Sequence, residues 1–228
     1  MKKNLVVLSG AGVSQESGIP IMTDATTWRN YKIHEVASQE AWERDPQLLI
    51  DFYNERRKEF SAVEPNGAHH AIKELEENFN VYIITTNVDN LHEKAGSTNV
   101  IHLHGDLLKV QSERNPKLVY DWDKDLTLGD TGEDGAQLRP NIVFFGEMMP
   151  TLEPAIQVCS SADVLIIVGT AMQVFPAAIL YTFAPADCKI YVINPVKPDM
   201  FDDREVEHID EKAVNGMNIL KQRLQAKS

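Results

Sequence analysis

The chain is short of cysteine. Its two thiols, Cys159 and Cys188, lie far apart in 228 residues, which excludes a disulfide framework and a cysteine-rich metal cluster. Positive charge is scarce as well. Twenty-two Lys and Arg face 34 Asp and Glu, and the formal net charge of -12 excludes nucleic acid binding through a broad basic face. A basic peptide partner suits that charge better. Long apolar runs are missing, and none approaches the roughly 20 residues of a membrane span. The start, MKKNLVVLSGAG, passes from a lysine pair directly into a strand and a glycine turn. It reads as mature protein, and the cytoplasm is the expected compartment.

Apolar residues make up 43% of the chain, enough for one sizeable core. Short apolar runs recur at 5–8, 81–84, 142–145, 164–168 and 190–193. Helical patterns fall at 46–60, 68–78, 152–161 and 177–183, with a closing amphipathic helix at 211–224. Strands alternating with helices predict an α/β fold, a Rossmann-like parallel sheet with helices on both faces. All of 1–228 reads as one domain. Segment 112–138 breaks the pattern: it is polar, carries three glycines, and reads as a small insert with a hairpin around 117–122 or as a surface loop.

The run at 5–8 leads into SGAGVSQESGIP, residues 9–20. Glycines after a strand let backbone approach an anion, and the helix that follows aims its amides at a phosphate. The spacing is not the strict G-x-G-x-x-G of dehydrogenases. A dehydrogenase also needs a second strand ending in Asp or Glu about 20 residues on. Here that region, MTDATTWRNYKIHEVASQEAW, holds no clean strand and reads as a mobile loop beside the cofactor.

Four more motifs sit where strands begin or end: TTNVDNLHEKAG (85–96), HLHG (102–105), RPNIVFFGE (139–147) and GTAMQVFPAA (169–178), with Asn194 after the last strand. In order, over nearly the whole chain, they resemble the sirtuins, the NAD-dependent protein-lysine deacylases. The resemblance implies that Gly10, Ala11 and Gly12 cradle the pyrophosphate, with Ser14, Ile19, Thr86 and Val88 beside the cofactor. Asn87 and Asp89 then hold the nicotinamide ribose and carboxamide, and Gly169, Thr170, Ala171 and Asn194 hold the adenosine half. His104 becomes the general base, a task that suits a pKa near working pH. His102 would share its face of a strand, so spacing alone does not choose between the two histidines. Asp89 is also a candidate helix cap.

The same resemblance makes Val143, Phe145, Gly146 and Glu147 part of the substrate-binding segment, pairing with an acyl-lysine peptide as an added strand. Tyr53 and Arg56 share a helical face at i, i+3 and resemble the Tyr-x-x-Arg pair of the bacterial desuccinylase and demalonylase branch. The expected partner is an acylated lysine, with no nucleic acid and no membrane.

The chain departs from the family in three places. Thr-Phe-Arg is replaced by Ile21, Met22 and Thr23, with Arg29 as a substitute cation; Gln is replaced by Thr86; and a serine is replaced by Ala171. The insert lacks the four zinc cysteines, so no zinc is expected, and Trp122, Leu126 and Leu128 are its candidate anchors. A weak member that senses NAD or ADP-ribose, and a protein ADP-ribosyltransferase, stand as alternatives.

Overall fold

The apolar runs pair side by side in parallel. The computed structural model describes residues 2–23, 25–173, 177–201 and 204–226. In chain order the strands are β1 (Asn4–Ser9), β2 (Thr27–Trp28), β3 (Tyr31–Lys32), β4 (Asn80–Thr85), β5 (Val100–His102), β6 (Gly105–Ser112), β7 (Val119–Asp121), β8 (Leu138–Ile142), β9 (Val164–Val168), β10 (Lys189–Ile193) and β11 (Val206–Ile209). The helices are α1 (Ala11–Gln15), α2 (Ile33–Val36), α3 (Gln39–Arg44), α4 (Pro46–Ser61), α5 (Gly67–Glu74), α6 (Leu91–Lys94), α7 (Leu152–Cys159) and α8 (Ala213–Gln225).

Six strands form one parallel sheet in the order β11-β10-β9-β1-β4-β5. Counted along the chain from β5, that order is 3-2-1-4-5-6, the dinucleotide-binding arrangement, and it reverses between β1 and β9. Alternate side chains go to opposite faces. Leu5 and Val7 pack with Ile72 of α5 and Leu220 of α8, while Val6 and Leu8 pack with Cys159 of α7 and Leu180. Covering both faces is why these strands read as continuous apolar runs.

A third cluster lies outside the sheet. Trp42, Leu49, Phe52 and Tyr53 of α3 and α4 pack against Leu107, Val110 and Phe144. Asp45 starts α4 by accepting from the Leu48 amide at 3.1 Å, with Pro46 at the first helical position.

Two expectations are corrected here. The run at 142–145 does not join the parallel sheet. Strand β8 ends at Ile142 and belongs to a three-stranded antiparallel sheet, β7-β6-β8. Four apolar residues cannot specify which sheet they enter. Segment 177–183 is a 3-10 helix rather than an α-helix. Strands β6 and β11 were not expected from the sequence, because DLLKVQS and VEHI mix polar and apolar residues.

The insert closes on protein contacts. Leu126 is buried, and its backbone is bracketed by Asn54 of α4, which accepts from the amide and donates to the carbonyl, both at 2.9 Å. Lys58 pairs with Asp125 at 2.7 Å, and Ser112 donates to Asp134 at 2.6 Å. Trp122 is partly packed on the third cluster, but Leu128 is exposed and anchors nothing. Among the described residues no three His, Cys, Asp or Glu are grouped to hold a metal. Folding is therefore expected to be metal-independent. A thermal melt with and without chelator, beside metal analysis, checks this: equal midpoints are expected, and a chelator-dependent drop with stoichiometric zinc would refute it.

Candidate active site

The carboxyl ends of β1, β9, β4 and β10 meet where the strand order reverses, the place where open α/β sheets bind ligands. The glycines there are used first for packing. Gly10 donates to the Val168 carbonyl at 3.1 Å and Gly12 to the Gly169 carbonyl at 2.8 Å. A Cβ on Gly12 would lie 2.8 Å from Gly169 Cα, and one on Gly169, whose φ is +64, would lie 2.5 Å from the Val13 nitrogen. At these two positions the loops pack on each other where a side chain would otherwise stand. Their missing side chains lock the two halves of the sheet together beneath the site.

The half-buried Ala11 follows on α1, and Ser14 is buried. Ile19 is buried and donates to the Ser14 carbonyl at 3.3 Å. Asn87 donates from its side chain to the Gly10 carbonyl at 3.1 Å and to the Ser14 hydroxyl at 3.0 Å, which leaves its Oδ1 as an acceptor. Asp89 is buried, and burial raises its pKa against the opposing pull of the Leu91 amide and the Ser14 hydroxyl. One of its oxygens accepts from the Leu91 amide at 3.1 Å, an Asx turn one residue ahead of Asn90, the N-cap of α6. The buried Oδ1 of Asn90 has no partner among the described residues. Thr86 donates from its amide to the Ser9 carbonyl at 3.1 Å, and the carbonyl of the half-buried Val88 accepts from Leu107 at 2.9 Å.

On the far side of the reversal, Gly169 donates to the Ile193 carbonyl at 3.1 Å, which places Asn194 beside it. Thr170 accepts from the Met172 amide at 3.1 Å, and Ala171 is exposed. Asn194 donates to the Val196 carbonyl at 2.7 Å and accepts from His208 at 2.8 Å.

Spacing could not separate His102 from His104; their hydrogen bonds do. His102 uses both ring nitrogens, Nδ1 toward the Asn87 carbonyl at 3.0 Å and Nε2 toward Glu93 at 2.8 Å. Burial opposes its charge, but the Glu93 carboxylate and the Asn87 carbonyl raise its pKa above the ordinary value. Both its ring nitrogens are engaged. His104 donates from Nδ1 to the Thr86 carbonyl at 3.0 Å, which fixes the tautomer and leaves Nε2 unprotonated. Burial lowers its pKa, partly offset by that same bond.

The expected acyl contacts are inward-facing. Tyr53 is buried and stacks on Phe144 with centroids 5.9 Å apart, and burial raises its hydroxyl pKa far above normal. Arg56 is held by Glu59, one turn along α4.

Segment 143–147 is less open than an added strand requires. Val143 donates to the His104 carbonyl and Phe145 to the Ala37 carbonyl, both at 2.9 Å, while the Gln39 amide donates to the Phe145 carbonyl at 3.1 Å. Phe144 donates to the Glu147 carboxylate at 2.8 Å, and the Glu147 amide donates to the Phe144 carbonyl at 3.0 Å. Phe145 and Gly146 remain exposed, Gly146 with φ +96. The Glu147 side chain is a brace, gripped by both Nη atoms of Arg139 at 2.6 and 2.7 Å. The role of Arg139 was not expected; an arginine in β8 with a glutamate eight residues on was the available signal.

Part of the segment expected to be a mobile loop is anchored. Trp28 is buried edge-on against Phe52 at 5.4 Å, and Glu55 accepts from both Trp28 and Arg29. Arg29 pairs with Glu55, both side chains being exposed. Met22 packs on the third cluster, and the Thr23 amide donates to Thr26 at 2.9 Å. His92 went unnoticed in the sequence. It is buried, its Nε2 lies 2.9 Å from the Ser9 hydroxyl, and burial keeps its ring neutral.

Residues 10–176 match the model of the Sir2 family. The chain is 52% identical over 223 residues to an NAD-dependent protein deacylase of Helicobacter pylori, with 97% of each chain covered. It is 45% identical to one of Bacteroides thetaiotaomicron, covering 97% of this chain and 98% of the relative. A Sir2 homolog solved as an NAD complex superposes with a TM-score of 0.89 at 35% identity, covering 99% of this chain and 91% of that one. A Sir2 structure bound to an acetylated peptide gives 0.82 at 28% identity, covering 98% and 94%. The chain belongs to the Sir2 family.

Proposed function

We propose that this chain is an NAD-dependent protein-lysine deacylase that prefers acidic acyl groups. The observation that carries the reading is the division of labour between two histidines: His102 is saturated at both nitrogens, and His104 keeps one lone pair free beside Thr86 and Asn87. The family relatives, which are named as NAD-dependent deacylases, support it.

The residues present fit a dinucleotide. The free Oδ1 of Asn87 and the unpartnered buried Oδ1 of Asn90 are acceptors awaiting donors at the strand reversal. Gly10, Ala11, Gly12 and Ser14 would hold the pyrophosphate, with Ile19, Thr86 and Val88 closing around it. Gly169, Thr170, Ala171 and Asn194 would hold the adenosine half, and Asn87 and Asp89 the nicotinamide half. When bound, NAD would supply an electrophilic ribose carbon for the acyl oxygen, with nicotinamide as the leaving group. His104 Nε2 accepts the proton of a ribose hydroxyl, while the Thr86 carbonyl holds the ring in the tautomer that permits it. The peptide lies along Val143 to Glu147, through the carbonyls and the exposed Phe145–Gly146 turn. The acyl end reaches Tyr53 and Arg56.

Incubation with NAD and matched acetyl- and succinyl-lysine peptides, read by mass spectrometry, tests the reading. Nicotinamide release with O-acyl-ADP-ribose is expected. Hydrogen bonds to charged groups are worth roughly 1.5–3 kcal/mol. Succinyl or malonyl peptides should therefore be favoured about ten- to a hundredfold, and Arg56→Met should reverse the order. Equal efficiency on both, unchanged by the substitution, would leave a general deacylase. A weak NAD sensor is the second reading, supported by Thr23 standing where the family has its arginine, while Arg29 pairs with Glu55. Binding without nicotinamide release would establish it, and ADP-ribose on protein would indicate the transferase.

A further inference from the structure

Residues 54–59 of α4 read NERRKE, and almost every polar side chain in this run is spent on a neighbouring element. Asn54 holds the Leu126 backbone. Glu55 accepts from Trp28 and Arg29. Arg57 turns inward, donating from Nε to the Leu107 carbonyl at 3.0 Å and from Nη1 to Asn54 at 2.7 Å. Lys58 takes Asp125 at 2.7 Å. That leaves Arg56 and Glu59, which take each other.

Several features set this pair apart from an ordinary surface pair. The Arg56 side chain is only 17% exposed, and its buried Nε–H has no acceptor among the described residues. Glu59 is 46% exposed and stands in the last turn of a helix that ends at Ser61. The negative end of a helix disfavours a carboxylate, and Arg before Glu is the weaker order for a helical pair. Helix stability gives no reason for a glutamate here. Glu59 also lines an open recess of about 380 Å³ with Gly18, Ile19, Pro20, Phe60 and Val63. A carboxylate displaced from Arg56 has a place to go, beside the loop of the first glycine motif.

We propose that Glu59 is a specificity-determining residue, an internal carboxylate that occupies Arg56 until an acidic acyl group displaces it. This rests on Tyr53 and Arg56 receiving the acyl end. With acetyl-lysine bound, Arg56 keeps Glu59 and is not left uncompensated, so neutral acyl groups are tolerated. With succinyl- or malonyl-lysine, the incoming carboxylate first gives back the Arg56–Glu59 attraction. Glu59 therefore narrows the gap between acidic and neutral substrates.

Steady-state kinetics on matched acetyl- and succinyl-lysine peptides tests this in the wild type, Glu59→Gln, Arg56→Met and the double variant. Glu59→Gln should lower KM for the succinyl peptide, raise it for the acetyl peptide, and leave kcat little changed. The scale of a partly exposed ion pair predicts that the selectivity ratio widens about two- to fivefold. Glu59→Asp, which keeps the charge, should widen it less. In the Arg56→Met background Glu59→Gln should leave the ratio alone, since the two residues act as one unit. A purely structural role would move both peptides in the same direction and overturns the proposal. If Arg56→Met abolishes a succinyl preference but Glu59→Gln leaves the ratio unchanged, the role of Glu59 is wrong and the acyl reading stands. If the wild type shows no preference and Arg56→Met changes nothing, the acyl reading fails and takes this one with it.

Discussion

His104→Ala is expected to lower deacylation turnover about 10²–10⁴-fold, the usual contribution of a general base. NAD binding should change little, because a base that acts only as the transition state forms contributes little to ground-state affinity. Single-turnover kinetics and calorimetry on one preparation separate the two effects. The pH profile carries a second, independent expectation. Burial lowers the His104 pKa below its ordinary 6.5, and the bond to the Thr86 carbonyl offsets only part of this. The base is the neutral ring, so a lowered pKa keeps it available at more acid pH. The acid limb of kcat/KM should therefore fall below pH 6.5. A limb above 6.5 would point instead to His102, whose pKa Glu93 raises. Wild-type turnover in His104→Ala would remove it from the mechanism.

Arg139→Met is expected to destabilise the fold by about 3 kcal/mol. Arg139 grips both oxygens of Glu147, donates to the Ile142 carbonyl at 3.0 Å, and lies 4.2 Å from the centre of the Phe144 ring. The two side chains are 8% and 21% exposed. Removing one partner leaves the other's charge in a poorly solvated place, which costs about 3–5 kcal/mol for a buried pair. Glu147 keeps some contact with water, so the low end of that range applies. At about 2–4 °C per kcal/mol for a chain of this size, the melting point should fall about 6–12 °C. Urea unfolding gives the free energy directly. The double variant Arg139→Met/Glu147→Leu should recover most of the loss, because an apolar pair of similar volume replaces an ion pair at little cost. The single variant should also raise KM for peptide, since the pair holds segment 143–147. A loss under about 1 kcal/mol, within the range of an exposed pair, would show that the brace is not needed.

Much of this was readable before any coordinates. The runs at 5–8 and 164–168 became the two central strands because both faces of the sheet are covered, and continuous apolar sequence is the direct trace of that burial. The helical pattern that begins at Pro46 matched the start of α4. The motifs at 9–20, 85–96 and 169–178 fell at strand ends because a strand must stop before its loop can bind anything. Other features were hidden for equally physical reasons. Run 142–145 looked like a parallel strand, since four apolar residues carry no information about their neighbours. Leu128 looked like an anchor, since apolarity does not reveal which way a loop turns.

The sequence by itself determined the alternation of strands and helices, the glycine turns, the shortage of thiols and the inventory of groups able to do chemistry. Those follow from local propensity and composition, which neighbours along the chain are enough to express. Only the tertiary structure decided what each group is free to do. His102 and His104 differ in the hydrogen bonds they make to residues 9 to 18 positions away. Gly12 and Gly169 are 157 residues apart in sequence, yet a Cβ on Gly12 would lie 2.8 Å from Gly169 Cα. Arg29 lies against Glu55, and the Glu147 side chain is gripped by Arg139. Availability of a lone pair or a charge is a property of what surrounds it in space, and long-range packing sets that.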